Sequence, residues 1–148
     1  MSGSVLYFSY TGNSKKIAKT LAKEVKAKLI EVKPVLELPY VFWLSLSFFP
    51  LLGFPVKDVE VKDYRVAVCF PKWTFNCPPI TELLKRGVFR GKKVFLFISY
   101  AGWREKEYAD FYEKLFESFG AKVQLVELVK RDELKSSQIV RFKNLWML

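Results

Sequence analysis

The chain contains no histidine and only two cysteines, Cys69 and Cys77, in 148 residues. Without histidine there is no Ser–His or Cys–His nucleophile pair, no imidazole acid–base chemistry and no ordinary catalytic zinc site. Two cysteines cannot build a disulfide framework or a cysteine-rich metal site within one chain. Acidic residues are also scarce: 15 Asp and Glu stand against 25 Lys and Arg, leaving a formal charge of +10 and a pI near 9.6. A balance that basic favours an anionic partner, whether an acidic protein, a phosphorylated ligand, a nucleic acid or a membrane surface. Internal repeats, low-complexity tracts and linkers are absent, and the length suits one domain over 1–148. No secretory signal is read at the start, where Val5 to Phe8 is only strand length. With so few cysteines, the expectation is a cytoplasmic protein.

Long apolar runs are missing, with one exception. The 19 residues from Leu38 to Val56 carry no charge and are rich in Phe, Leu and Trp, near the minimum length of a membrane span. Pro39, Pro50 and Pro55 interrupt them, and a proline inside a helix costs about 3 kcal/mol. The expectation is an apolar insertion at about 38–56, partly helical, that does not cross a bilayer. It would cover a ligand, form a homodimer seam, or touch a membrane peripherally through Trp43, Phe48 and Phe49.

What is present is ample core material, 51% apolar and 17% aromatic, in an alternating pattern. Ser4 to Ser9, Leu29 to Val32, Arg65 to Phe70, Lys93 to Ser99 and Val123 to Val129 read as strands. Between them, Ile17, Ala18, Leu21, Ala22 and Val25 recur at helical spacing, with lysines on the other face. Pro78 to Lys85 reads as a short helix, Glu105 to Phe119 as the clearest one, and Ser136 or Ser137 caps a last one. Five strands alternating with helices predict an α/β three-layer sandwich around a five-stranded parallel sheet. Ligands in such sheets bind at the carboxyl ends of the strands, near the point where strand order reverses. The loops of interest are therefore Ser9–Ser14, Pro71–Pro79 and Ser99–Arg104.

The first loop, Ser9-Tyr10-Thr11-Gly12-Asn13-Ser14, carries hydroxyl or amide side chains at 9, 11, 13 and 14. Gly12 permits a tight turn, and the helix that begins at about Asn13 aims its free N–H groups and its dipole at the same spot. That is a nest for one phosphate. It matches neither GxxxxGK[ST] nor GxGxxG, so it suits a terminal monophosphate better than a triphosphate with magnesium. The competing explanation is a helix cap with polar neighbours.

This S-Y-T-G-N-S loop between strand and helix resembles the FMN phosphate loop of flavodoxins. The segment Pro71-Lys72-Trp73-Thr74-Phe75-Asn76-Cys77-Pro78-Pro79 is similar to the P-x-W-x-x-N-x-P-P segment of flavodoxin-like proteins, and Gly91-Lys92-Lys93 also fits. Ser99-Tyr100-Ala101-Gly102-Trp103 falls where a third flavin-contacting loop belongs. The resemblance covers most of the chain. It implies the flavodoxin-like strand order 2-1-3-4-5 and FMN as cofactor, bound by the loops at 9–14, 71–76 and 99–103, with no catalytic residue and no metal. Trp73, Phe75, Tyr100 and Trp103 are available to stack on the ring, Trp73 and Trp103 being the preferred pair. Backbone N–H groups and Asn76 would meet its polar edge.

The chain departs from acidic electron carriers in that these loops hold no carboxylate, while Lys72 and Arg104 are close by. That points to an acidic redox partner. A one-electron carrier is favoured over an oxidoreductase with its own substrate, and an NAD(P)H-linked flavin reductase stays open. The alternative is a flavin-poor membrane-associated or protein-interaction module. Nucleic-acid binding is not expected, since the basic residues spread over helix faces without a binding motif. Cys77 and Cys69 read as buried fillers.

Overall fold

The structure, a computed structural model, describes residues 3–73 and 75–148. The apolar runs form five strands: β1 (Ser4–Tyr7), β2 (Lys28–Glu31), β3 (Arg65–Pro71), β4 (Lys93–Tyr100) and β5 (Lys122–Lys130). All pair in parallel, in the order β2-β1-β3-β4-β5. The fold class and strand order expected from the sequence are those observed. Helices α1 (Asn13–Val25), α2 (Tyr40–Leu46), α3 (Pro78–Lys85), α4 (Glu105–Ser118) and α5 (Ser136–Trp146) connect and cover the strands.

Alternation along the central strands sends side chains to two separate cores. Val5, Ala67, Cys69, Phe95 and Phe97 pack with Ile17 and Leu21 of α1 and with Phe142 and Trp146 of α5. Leu6, Val68, Phe70, Leu96 and Ile98 pack on the opposite face with Leu83 and Leu84 of α3 and Tyr112 and Phe116 of α4. Burial on both faces is why these strands read as unbroken apolar runs. β2 lies at the edge; its Lys28, Leu29 and Glu31 face water, and its bounds sit one residue earlier than the apolar run suggests.

The 38–56 segment contains one short helix, α2, preceded by Pro39. Trp43 is its one buried side chain and joins the α3/α4 core. Among the described residues, no helix is long and apolar enough to cross a membrane.

Strand order reverses between β1 and β3, so a crevice opens there at the carboxyl end of the sheet. The loops after β1, β3 and β4 line it.

Candidate functional site

The first loop leaves β1 and enters α1 through Gly12, whose φ of 98° lies in the left-handed region. A Cβ placed on Gly12 would meet nothing within 4 Å, so its backbone borders open space. Ser9 Oγ accepts a hydrogen bond from the Gly12 N–H at 2.9 Å and tightens the turn. Inside α1, the first amide with a backbone partner is that of Lys16, which donates to Gly12 O at 3.1 Å. The amides of the preceding turn have no intrahelical acceptor. No acidic residue stands in that turn, and no side chain caps it.

Ser14 occupies the middle of this turn. It is 1% exposed, and its Oγ has no hydrogen-bond partner. A buried hydroxyl without a partner costs roughly 1–3 kcal/mol. A helix cap would leave Ser14 bonded to its own backbone, and it is not. Thr11 and Tyr10 are exposed, and Asn13 is half-buried.

The second loop departs from expectation at two side chains. Trp73 is buried: Trp43 stacks on it at 5.8 Å and 23° between planes, and Phe8 meets it edge-on at 5.6 Å. A ring covered in this way is core, which corrects its assignment to the preferred stacking pair. Asn76 is also fully buried. Its Nδ2 donates to Phe49 O at 3.0 Å and Leu52 O at 2.6 Å, and its Oδ1 accepts from Tyr112 OH at 2.9 Å and from Thr81 Oγ1. The amide holds the turn after α2, so it is not free for a ligand edge. Phe75 is exposed, and its N–H donates to Ser47 O at 3.0 Å. Pro71 O accepts from Tyr108 OH at 3.2 Å, and Lys72 N–H continues the sheet by donating to Ser99 O at 2.7 Å. Thr74 lies outside the described residues. Cys77 and Cys69 are fully buried, and burial pushes both thiols well above the ordinary cysteine range.

The third loop holds three successive residues at positive φ. Gly102, Trp103 and Arg104 have φ values of 124°, 112° and 51° in succession. A tryptophan at positive φ is an outlier, and such residues collect where a loop serves a ligand. Trp103 is 54% exposed. Lys72 Nζ lies 4.4 Å from its ring centroid; partial burial lowers the Lys72 pKa, opposed by the nearby Glu105 carboxylate. Ser99 donates its hydroxyl to Arg131 O at 2.6 Å, leaving its side chain committed to the β5 loop. Tyr100 is half-buried, and Ala101 and Gly102 are exposed.

Two features of the site were not legible in the sequence. Glu105 and Glu107 open α4 beside the basic pair: Glu105 accepts from Trp103 N–H at 3.2 Å, and Glu107 lies 3.8 Å from Arg104. Counting loop residues alone overstated the positive field. Tyr40 sits 5.4 Å from Tyr10 and 6.4 Å from Trp73, which brings α2 to the first loop. Its position after Pro39 signalled a helix start, not this neighbour. A cleft of about 900 Å³ opens on the β2 side of the first loop, bordered by Ser9, Tyr10, Lys33, Pro34 and Trp43.

The element order, the crevice and its three loops define the flavodoxin-like fold. A candidate flavoprotein of Bacteroides eggerthii superposes with a TM-score of 0.81 at 18% identity, covering 99% of this chain and 98% of that one. A flavoprotein of Lactobacillus acidophilus, solved in complex with FMN, superposes with a TM-score of 0.66 at 20% identity, covering 96% and 98%. No family model matches the chain. An uncharacterised protein of Archaeoglobus fulgidus is 42% identical over 131 residues, 88% of this chain and 87% of its own length. The chain belongs to the same family as that archaeal protein, on a flavodoxin-like fold.

Proposed function

We propose that the chain binds FMN across the carboxyl ends of β1, β3 and β4 and serves as an electron-transfer flavoprotein. The observation that carries this reading is Ser14 Oγ, buried without a partner in the first turn of α1 beside an open left-handed glycine. A phosphate is the group that satisfies a hydroxyl and several helix amides at one point. The loop at 9–14 would hold it. Backbone amides of 71–76 and 99–103, with Phe75, Tyr100 and Trp103, would border the ring. FMN, when bound, supplies the redox chemistry, and the protein's part is to bind, orient and tune it. The L. acidophilus flavoprotein solved with FMN supports the choice of cofactor. The two buried free thiols fit a cytoplasmic protein.

Ser14→Ala tests the site. The alanine removes an unsatisfied hydroxyl, so the apo-protein should melt no lower than wild type. The same change should weaken FMN binding about tenfold, the worth of one charge-assisted hydrogen bond. Thr11→Ala, at an exposed position, should weaken binding without moving the melting temperature. Fluorescence titration and thermal melts measure both effects. Unchanged FMN affinity in Ser14→Ala, or a collapse of its melting temperature, would exclude a phosphate at this hydroxyl.

Lys72 and Arg104 favour an acidic redox partner, though Glu105 and Glu107 temper their field. Lys72→Glu should make the second reduction step of bound FMN more negative, because the added carboxylate opposes negative charge on the ring. A unit charge at about 8 Å in an effective dielectric of about 20 is worth roughly 2 kcal/mol, and screening lowers this to a few tenths. Potentiometric titration at low and high salt checks it. No shift at low salt means that Lys72, drawn over Trp103, does not feel the ring.

A further inference from the structure

Apolar surface is left in water mainly at the carboxyl end of the sheet. On α2 and the turn that follows, Val41, Phe42, Phe48, Phe49, Leu51 and Leu52 are all exposed. The patch is continuous with the third loop. Phe48 and Phe75 have ring centroids 6.1 Å apart, and Phe75 and Trp103 6.3 Å apart. Among the described residues, nothing else covers these rings. The turn is also held in shape, because Asn76 fastens both Phe49 O and Leu52 O from beneath.

We infer that this patch is the seam of a symmetric homodimer, in which a second copy of the chain seats its own α2 and 47–52 turn against it. The inference does not depend on flavin binding. Its first support is area. At these exposures, with about 150–200 Å² for a fully exposed aliphatic or aromatic side chain, the six side chains of α2 and its turn leave roughly 500–600 Å² of apolar surface in water. The largest apolar patch on a typical monomer is about 300–600 Å². A stable interface takes about 800 Å² from each partner. The patch is therefore at the top of the range for a monomer, and it matches the apolar share of one side of a homodimer interface, about 65% of such a face.

The second support is charge. No charged side chain lies between 38 and 56. Exposed charges beside this segment are of both signs: Arg104 and Glu107 line a cleft with Pro50, Phe75 and Trp103, and Lys33, Lys57 and Glu37 border another with Pro39 and Trp43. The positive excess is concentrated elsewhere. Lys15, Lys16, Lys19 and Lys23 are on α1, which packs on the opposite face of the sheet from the core that holds Trp43. An anionic bilayer is recognised by basic side chains beside the inserted apolar ones. A neutral centre with a mixed-sign rim suits a copy of itself, because a two-fold axis brings each patch against the same patch and lets opposite charges meet at the rim.

The test is the mass of the purified full-length protein by light scattering or sedimentation at roughly 100 μM, where a micromolar seam is saturated. Twice the 17.3 kDa chain mass is expected. Phe49→Lys and, separately, Phe42→Lys place two like charges in the seam. Each should weaken association about a hundredfold, as the loss of a central interface residue does. Both positions are exposed, so circular dichroism and FMN content should match wild type. A monomeric wild-type protein at that concentration overturns the inference. A monomer that floats with phosphatidylglycerol vesicles overturns it in favour of a membrane surface. A dimer that survives both substitutions also overturns it, since its seam then lies elsewhere.

Discussion

Riboflavin should bind this protein at least about a hundredfold more weakly than FMN. The two ligands share the ring and the ribityl chain and differ in one phosphate. In the proposed site that phosphate meets the first turn of α1, which offers free amides, no carboxylate within the turn, and a Ser14 hydroxyl without a partner. Charge-assisted hydrogen bonds contribute about 1.5–3 kcal/mol each, so losing two accounts for a factor of at least a hundred. FAD should also bind poorly, because its second phosphate and adenosine meet no second cradle of this kind. Equal fluorescence quenching isotherms for FMN and riboflavin would remove the phosphate from the site, and the crevice would then be reading the ring alone.

Asn76→Ala should destabilise the protein by about 2–4 kcal/mol, because it strips partners from groups that cannot all reach water. Phe49 O and Leu52 O lose their donor, and Thr81 and Tyr112 lose a shared acceptor. Tyr112→Phe is the milder comparison. It removes one hydroxyl that accepts from Cys77 N–H at 2.7 Å and donates to Asn76, and should cost about 1–2 kcal/mol. Denaturant unfolding of the apo-proteins measures both. If Asn76→Ala unfolds like wild type yet loses FMN, the amide faces the ligand after all.

These side chains also mark where reading the sequence stopped. The strands read at 65–70 and 93–99 were legible because a doubly covered strand is apolar along nearly its whole length. The turn at Gly12 was legible because it joins a buried strand to an amphipathic helix. Trp73 was not, since an indole in a loop after a strand carries no record of whether Trp43, thirty residues away in the chain, lies on its face. Asn76 misled for the same reason. A polar residue in a ligand loop and a polar residue pinning a neighbouring turn look alike until the turn is placed. Glu105 and Glu107 belong to a helix by pattern, and only the folded first turn brings them back to the loop.

The two cysteines have a practical consequence for a protein that would handle electrons near air. Reduced flavin and oxygen generate peroxide, and peroxide attacks thiolates. Here both sulfurs are sealed in the interior and held protonated, Cys77 a few residues from the proposed ring contacts. Only a molecule that opens offers either one to a reagent. The chain thus carries two built-in clocks, one on each face of the sheet: the rate at which an alkylating agent captures Cys69 times opening of the layer under α1 and α5, and capture of Cys77 times opening under α3 and α4.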